Sequence, residues 1–122
     1  VTRARQALGR LGEQLAARAL ESRGYALIAR NVRTPMGEID LVARDGDWWV
    51  FVEVRCRRGT AYGRPEDSLT ARKRAHLLAA AQHYLNARQL TGVPWRVDFV
   101  AVAFTPAGAL ERVEVIPHAL GG

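Results

Sequence analysis

An Asp45-Gly46 dipeptide lies between two runs of strand-forming residues, Glu38 to Arg44 and Asp47 to Arg57, and commits the middle of this chain to a β-hairpin. Asp-Gly supplies the positive φ that a tight reversal needs and that most residue pairs resist. The second run alternates. Trp49, Phe51, Glu53 and Arg55 point one way, and Trp48, Val50, Val52, Val54 and Cys56 the other. An even-sized loop centred on the dipeptide sets Asp40 opposite Phe51 and Glu38 opposite Glu53. Asp40 and Glu53 are then diagonal neighbours on one face, roughly 7–8 Å apart at the backbone. Two carboxylates so placed can share one hard cation, with Mg²⁺ at about 2.1 Å from its oxygen ligands.

Helical spacing of Leu8, Leu11, Leu15, Ala16 and Ala19 predicts a first helix from Thr2 to about Arg23, stopped by Gly24. Tyr25 to Arg33 reads as a strand, and Thr34-Pro35-Met36-Gly37 as a turn into the hairpin. After a Gly- and Pro-containing loop from Arg58 to Asp67, a helix is expected from a cap at Asp67 or Ser68 to about Gln89. Its apolar stripe is Leu69, Leu77, Ala80, Ala81 and Tyr84. Trp95 to Phe104 and Leu110 to Ile116 are the last strands, separated by Thr105-Pro106-Ala107-Gly108. The order α-β-β-β-α-β-β implies an α/β fold, a mixed β-sheet flanked by helices.

At 122 residues, 48% hydrophobic and 25% charged, the chain is expected to form a single domain over residues 1–122. No membrane span or signal-peptide core stands out, so a cytoplasmic location without membrane contact is expected. The single Cys56 has no disulfide partner and reads as a small apolar strand residue. A net charge of +6 favours polyanionic partners, although one lysine among 18 basic residues can equally reflect genome composition. The positions say more than the total. Arg55, Arg57, Arg58, Arg64, Arg72, Lys73 and Arg74 follow or flank the second carboxylate strand, and Arg57, Arg58, Arg64, Arg72 and Arg74 are the expected nucleic-acid contacts.

Lys73, four residues after Leu69 and four before Leu77, falls on the apolar line of its helix. Its ammonium either snorkels to the rim of the core or points at the carboxylate face, where it can hold a phosphate or polarise a water. Glu13 sits at the edge of the first helix's stripe, after a Gly12 small enough to let the helix approach the sheet. It is either a solvated helix residue or a further carboxylate for the metal. Asp98 shares a strand face with Arg96 and reads as half of a structural ion pair. A cation held by Asp40 and Glu53 would activate water and offset charge in phosphodiester hydrolysis, with basic side chains holding the remaining oxygens.

Gly12-Glu13, Gly24-Tyr25, Arg30-Asn31, Gly37-Glu38-Ile39-Asp40-Leu41-Val42, Phe51-Val52-Glu53-Val54-Arg55, the single lysine on the following helix and Arg96-Val97-Asp98 together resemble the bacterial YraN family. That largely uncharacterised family is grouped by fold with the PD-(D/E)xK, or restriction-endonuclease-like, nucleases and the archaeal Holliday-junction resolvases. The resemblance spans nearly the whole chain. It implies a restriction-endonuclease-like core, Asp40 and Glu53 as metal-binding acids, and Glu13 as the acid from the first helix. Two positions depart from the nuclease pattern. Ile39 stands where a proline precedes the aspartate, and Arg55 stands at the lysine. Arginine binds phosphate bidentately but is too basic to serve as a general base. Helical phase makes Lys73 its replacement.

The expected function is therefore a Mg²⁺- or Mn²⁺-dependent endonuclease acting on DNA, with Asp40, Glu53, Arg55 and Lys73 as its catalytic residues. Branched or structured DNA enters by fold analogy alone. A homodimer is expected, since cutting two strands commonly takes two sites. The alternatives are a nucleic-acid-binding module with a degenerate nuclease site and a partner-binding protein that presents Trp48 or Trp49.

Overall fold

A computed structural model describes residues 3–59 and 69–120. Helix α1 (Arg3–Ser22) is followed by strands β1 (Ala26–Thr34), β2 (Gly37–Asp45) and β3 (Trp48–Arg58), then helix α2 (Ala71–Ala87) and strands β4 (Trp95–Phe104) and β5 (Leu110–Leu120). This is the predicted α/β order. The strands lie in one sheet in sequence order. β3 and β4 are parallel, and the other neighbours are antiparallel. The parallel pair requires a crossover, and α2 lies in that connection.

Each helix end has a local cause. Gly24, at φ 91°, lets the Tyr25 N–H return to the Leu20 carbonyl at 3.0 Å and closes α1. α2 begins later than expected. Thr70, not Asp67 or Ser68, is its N-cap, accepting a hydrogen bond from the Lys73 N–H at 3.2 Å. Asp67 and Ser68 lie outside the described residues, and Leu69 precedes the helix. Lys73 and Leu77 remain one turn apart inside it.

The helices cover opposite faces. Ala16, Ala17 and Leu20 of α1 pack on Leu41, Ala43, Val50, Val52, Val100 and Val102. Leu77, Ala80, Ala81, Tyr84 and Leu85 of α2 pack on Ile39, Val42, Phe51 and Val97. The buried stripe of α1 is rotated from the expected one: Leu11 is exposed, and Gly12 is buried against the sheet. A methyl group on Gly12 would come within 2.0 Å of the Cys56 Sγ, so this helix approaches β3 only because residue 12 has no side chain. That turn of the helix brings Glu13 inward.

The hairpin forms with a different register. Asp45 pairs with Trp48, and the reversal is Gly46-Asp47, with Gly46 at φ 59°. Glycine takes the first central position, where a type II′ turn needs it, and Asp45 extends the strand instead of turning. Pairing then runs down to Leu41 opposite Val52. Continuing this register brings Asp40 level with Glu53 rather than diagonal to it, although the ladder ends before the two pair. Glu38 is not opposite Glu53 but pairs with Arg33 of β1. The predicted faces of β3 hold, with Val50 and Val52 under α1 and Trp49 and Phe51 under α2.

A buried polar cluster fixes the far end of the sheet. Asp98, fully buried, accepts from the Tyr25 hydroxyl at 2.8 Å, the Arg96 Nε at 2.9 Å and the His118 N–H at 2.9 Å. Arg96 also reaches Asp45 at 2.8 Å. The Arg96–Asp98 pair is structural, as expected, and it ties the α1–β1 connection, β2, β4 and β5 together. Among the described residues no helix is long and apolar enough to cross a membrane.

Candidate metal and phosphate site

The β2–β3 ladder stops at Leu41 and Val52, while β3 stays paired with β4 as far as Arg58 and Phe104. The two carboxylate strands therefore part at Asp40 and Glu53. The face alternation of β1 and β2 also slips at this level. Ala29 and Val32 pack in one cluster, as do Val42 and Ile39, although each pair is three residues apart. Asn31, at φ 51°, takes up the irregularity. Asp40, next to the slip, turns its carboxylate onto β3 and accepts the Val54 N–H at 2.8 Å.

A cleft of about 470 Å³ opens at this fork. Glu13 enters from α1, Asp40 from β2, Glu53, Arg55, Cys56 and Arg57 from β3, and Lys73 from the first turn of α2. A smaller hollow of about 160 Å³ adjoins it behind Glu53, Arg55 and Lys73, walled by Met36, Gly37, Glu38, His76 and Leu77. Arg55 Nη2 lies 2.8 Å from Glu53 Oε2, and both side chains are largely buried. A charge-assisted contact in such a place is strong and fixes both groups.

Burial raises all three acids. Asp40 is pushed up to about 8, first by desolvation and then by the Glu53 charge, against the lowering effect of the Val54 N–H. Glu53 is also raised by desolvation, but Arg55, a hydrogen bond with Asp40 and Lys73 oppose the shift. Two carboxyls this close cannot both ionise cheaply, so burial and mutual repulsion favour keeping a proton on the pair. Glu13 is raised by burial and by Asp40, while a hydrogen bond to Asn31 lowers it. The Cys56 thiol is pushed up to about 11 by burial and is no nucleophile at neutral pH.

This arrangement suits a dication. Two adjacent carboxylates that keep a proton between them are an electrostatic deficit that a bound cation removes. Among the described residues no three His, Cys, Asp or Glu side chains come together closely enough to hold a metal on their own. Mg²⁺ commonly uses one or two carboxylates, waters and substrate phosphates, and Asp40 with Glu53 meets that pattern. Glu13 lines the same cleft but is engaged with Asn31.

Comparison with known proteins places this geometry in a family. A profile described as "Uncharacterised protein family UPF0102" matches residues 12–102. The chain belongs to the UPF0102 family. It is 45% identical over 117 residues to a UPF0102 protein of Dehalococcoides mccartyi, covering 96% of this chain and 95% of that one. A UPF0102 protein of Roseiflexus castenholzii is 47% identical over 122 residues, covering 98% of each, and one of Beutenbergia cavernae is 48% identical over 117 residues, covering 92% and 94%. The UPF0102 match contains Glu13, Asp40, Glu53, Arg55 and Lys73, and ends within β4.

In this UPF0102 chain the five candidates for metal and catalysis share one cleft, but the basic contacts predicted around them separate. Arg57 lines the cleft. Arg58 donates from Nε to the Pro106 carbonyl at 2.9 Å, tied to the β4–β5 turn because its strand runs past the fork. Arg72 is exposed on α2, and Arg74 turns to a separate hollow with Leu69, Phe99, Ile116 and Ala119. Arg64 lies outside the described residues. Lys73 is exposed, not half-buried on an apolar line, because it belongs to the first turn of α2, ahead of the packed stripe that begins at Leu77. Sequence reasoning overlooked Asn31, Met36 and His76. The last stands three residues after Lys73, on the same helix face, a spacing that could have flagged it.

Proposed function

We propose that this UPF0102 protein is a divalent-metal-dependent endonuclease that hydrolyses phosphodiester bonds in DNA. One observation carries the reading: separate elements deliver Asp40, Glu53, Arg55 and Lys73 to a single cleft, where burial raises both carboxyls and three basic side chains stand beside them. Carboxyls raised by burial beside specific charge partners in a cleft are a common mark of a functional site.

In this reading Asp40 and Glu53 hold Mg²⁺ or Mn²⁺, which when bound supplies an activated water and charge relief at phosphorus. The Val54 N–H aims Asp40, and Arg55 aims Glu53. Lys73, on the rim, donates to a non-bridging phosphate oxygen and holds the strand across the carboxylates. Arg57 adds positive potential at the cleft wall. Water adds to phosphorus, one ester P–O bond breaks, the water loses a proton and the departing oxygen gains one.

A second reading has its own observation. Arg55 occupies Oε2 of Glu53, a ligand oxygen, and a permanent clamp there describes a nucleic-acid-binding module with a degenerate site. A labelled panel of duplex, single-stranded, flap and four-way-junction DNA with Mg²⁺ or Mn²⁺ separates the two. Cleavage lost in Glu53→Ala and Lys73→Ala supports the nuclease. Salt-sensitive binding without cleavage, surviving Asp40→Asn, supports the module. Activity unchanged in Glu53→Ala points to a contaminant.

A further inference from the structure

The smaller hollow shares Glu53, Arg55 and Lys73 with the main cleft, so these three side chains form a partition with space on both sides. The two spaces differ in chemistry. The main cleft is lined by acids and cations, as a phosphate and its cation require. The hollow is lined by Met36 and His76, both exposed, and by buried Leu77.

Its wall is also fixed. The Thr34 hydroxyl donates to the Gly37 carbonyl at 2.7 Å and accepts the Met36 N–H at 3.1 Å, so the turn presenting Met36 is braced. His76 and Leu77 stand on a capped helix. At about 160 Å³ the hollow is of the size of a single nucleobase rather than of a base pair. Sulfur and imidazole faces both stack on heteroaromatic rings. Glu38, on the rim, offers carboxylate oxygens to exocyclic amino groups.

Resting on the nuclease reading of the adjoining cleft, we infer that this hollow is a subsite for one unpaired nucleobase, whose own phosphate lies at the Arg55–Lys73 partition. The substrate class narrows accordingly. Phosphodiesters beside an unpaired nucleotide are preferred over those inside an intact duplex, because a paired base cannot enter. Met36 and His76 set this specificity without touching the reacting atoms.

The test uses labelled DNA of one sequence in three forms: intact duplex, duplex with a single unpaired nucleotide, and the same duplex with that nucleotide abasic. Affinity is read without metal by anisotropy, and cleavage with Mn²⁺. Stacking of one base is worth about fivefold to a hundredfold in affinity. The bulged duplex is expected to bind about tenfold better than the intact one, with the gain lost in the abasic form and in Met36→Ser/His76→Ala, whose duplex affinity is unchanged. Equal affinity for the intact and abasic bulges overturns the subsite, and cleavage that ignores the base would then leave the nuclease reading standing. A base-dependent affinity with no cleavage of any substrate does the reverse.

Discussion

The Asp40 carboxylate takes the Val54 N–H at 2.8 Å just where β2 and β3 cease to pair. A side chain thus replaces the next rung of the ladder, and the replacement holds one metal-binding candidate against the strand that carries the other. Asp40→Asn keeps the acceptor oxygen and removes the charge. In the absence of metal it is expected to stabilise the fold at pH 8, because it removes a carboxylate whose ionisation burial and the Glu53 charge oppose, at about 1.4 kcal/mol for each unit by which the carboxyl pKa is raised. Denaturant midpoints with and without Mn²⁺ check this, and the variant should gain nothing from the metal. A destabilised Asp40→Asn would mean that the carboxyl pair is not repulsive.

The pH dependence follows from the same pair. Asp40 is raised from 3.8 to about 8, so its proton stabilises the folded state fully below pH 4, and that contribution is lost as pH rises towards 8. Glu53 shifts in the same direction. Metal-free protein should lose up to about 1.4 kcal/mol per pH unit across this window for one proton. Asp40→Asn should lose less. Metal binding at pH 7 must displace the proton, and calorimetry in two buffers of different ionisation enthalpy will count it. Binding with no proton release would contradict the assignment.

Arg55 and Lys73 should respond differently to replacement. Lys73 is exposed, so Lys73→Ala is expected to leave the melting temperature unchanged and to lower cleavage by about a hundredfold, the usual cost of losing one oriented donor to a transition-state oxygen. Arg55→Ala leaves Glu53 buried without its nearest cation, so it should weaken Mn²⁺ binding at pH 7 as well as cleavage. Arg55→Lys separates the two functions of the residue. It keeps a cation beside Glu53 but gives up the planar fork, so metal affinity should survive better than phosphate affinity.

Gly12 and Cys56 make a steric pair. Gly12→Ala puts a methyl within 2.0 Å of the sulfur and should cost about 1–3 kcal/mol through overpacking, despite alanine's better helix propensity. Adding Cys56→Ala should recover most of the loss, a coupling that a double-mutant cycle in urea will measure. Additive single effects would show that α1 simply shifts outward.

The buried cluster at the other end of the sheet carries stability alone. Asp98→Ala leaves Arg96 buried with only Asp45 and Tyr25 and should cost about 3–5 kcal/mol, the usual penalty for orphaning one member of a buried pair. Any protein still folded should bind Mn²⁺ as wild type does, because no residue of the cluster lines the cleft.

The sequence by itself determined the order of elements, the two faces of β3, the Gly24 stop and the nature of Cys56. Each depends on local rules, namely side-chain period, turn chemistry and helix breaking, that act within a few residues. It also named the acids and the lysine that meet in the cleft. Only the tertiary structure decided how they meet. A reversal centred on Gly46-Asp47 instead of Asp45-Gly46 slid the strands past each other and brought Asp40 level with Glu53 where their ladder ends. The inward turn of Glu13 depended on a glycine-to-sulfur contact across 44 positions of chain, and the late start of α2 left Lys73 exposed on the rim. The hollow behind the partition has walls from a turn, a strand and a helix, a juxtaposition no periodicity encodes. Local physics specifies which groups a strand or helix can present, whereas register and packing between distant segments fix the distances on which chemistry depends.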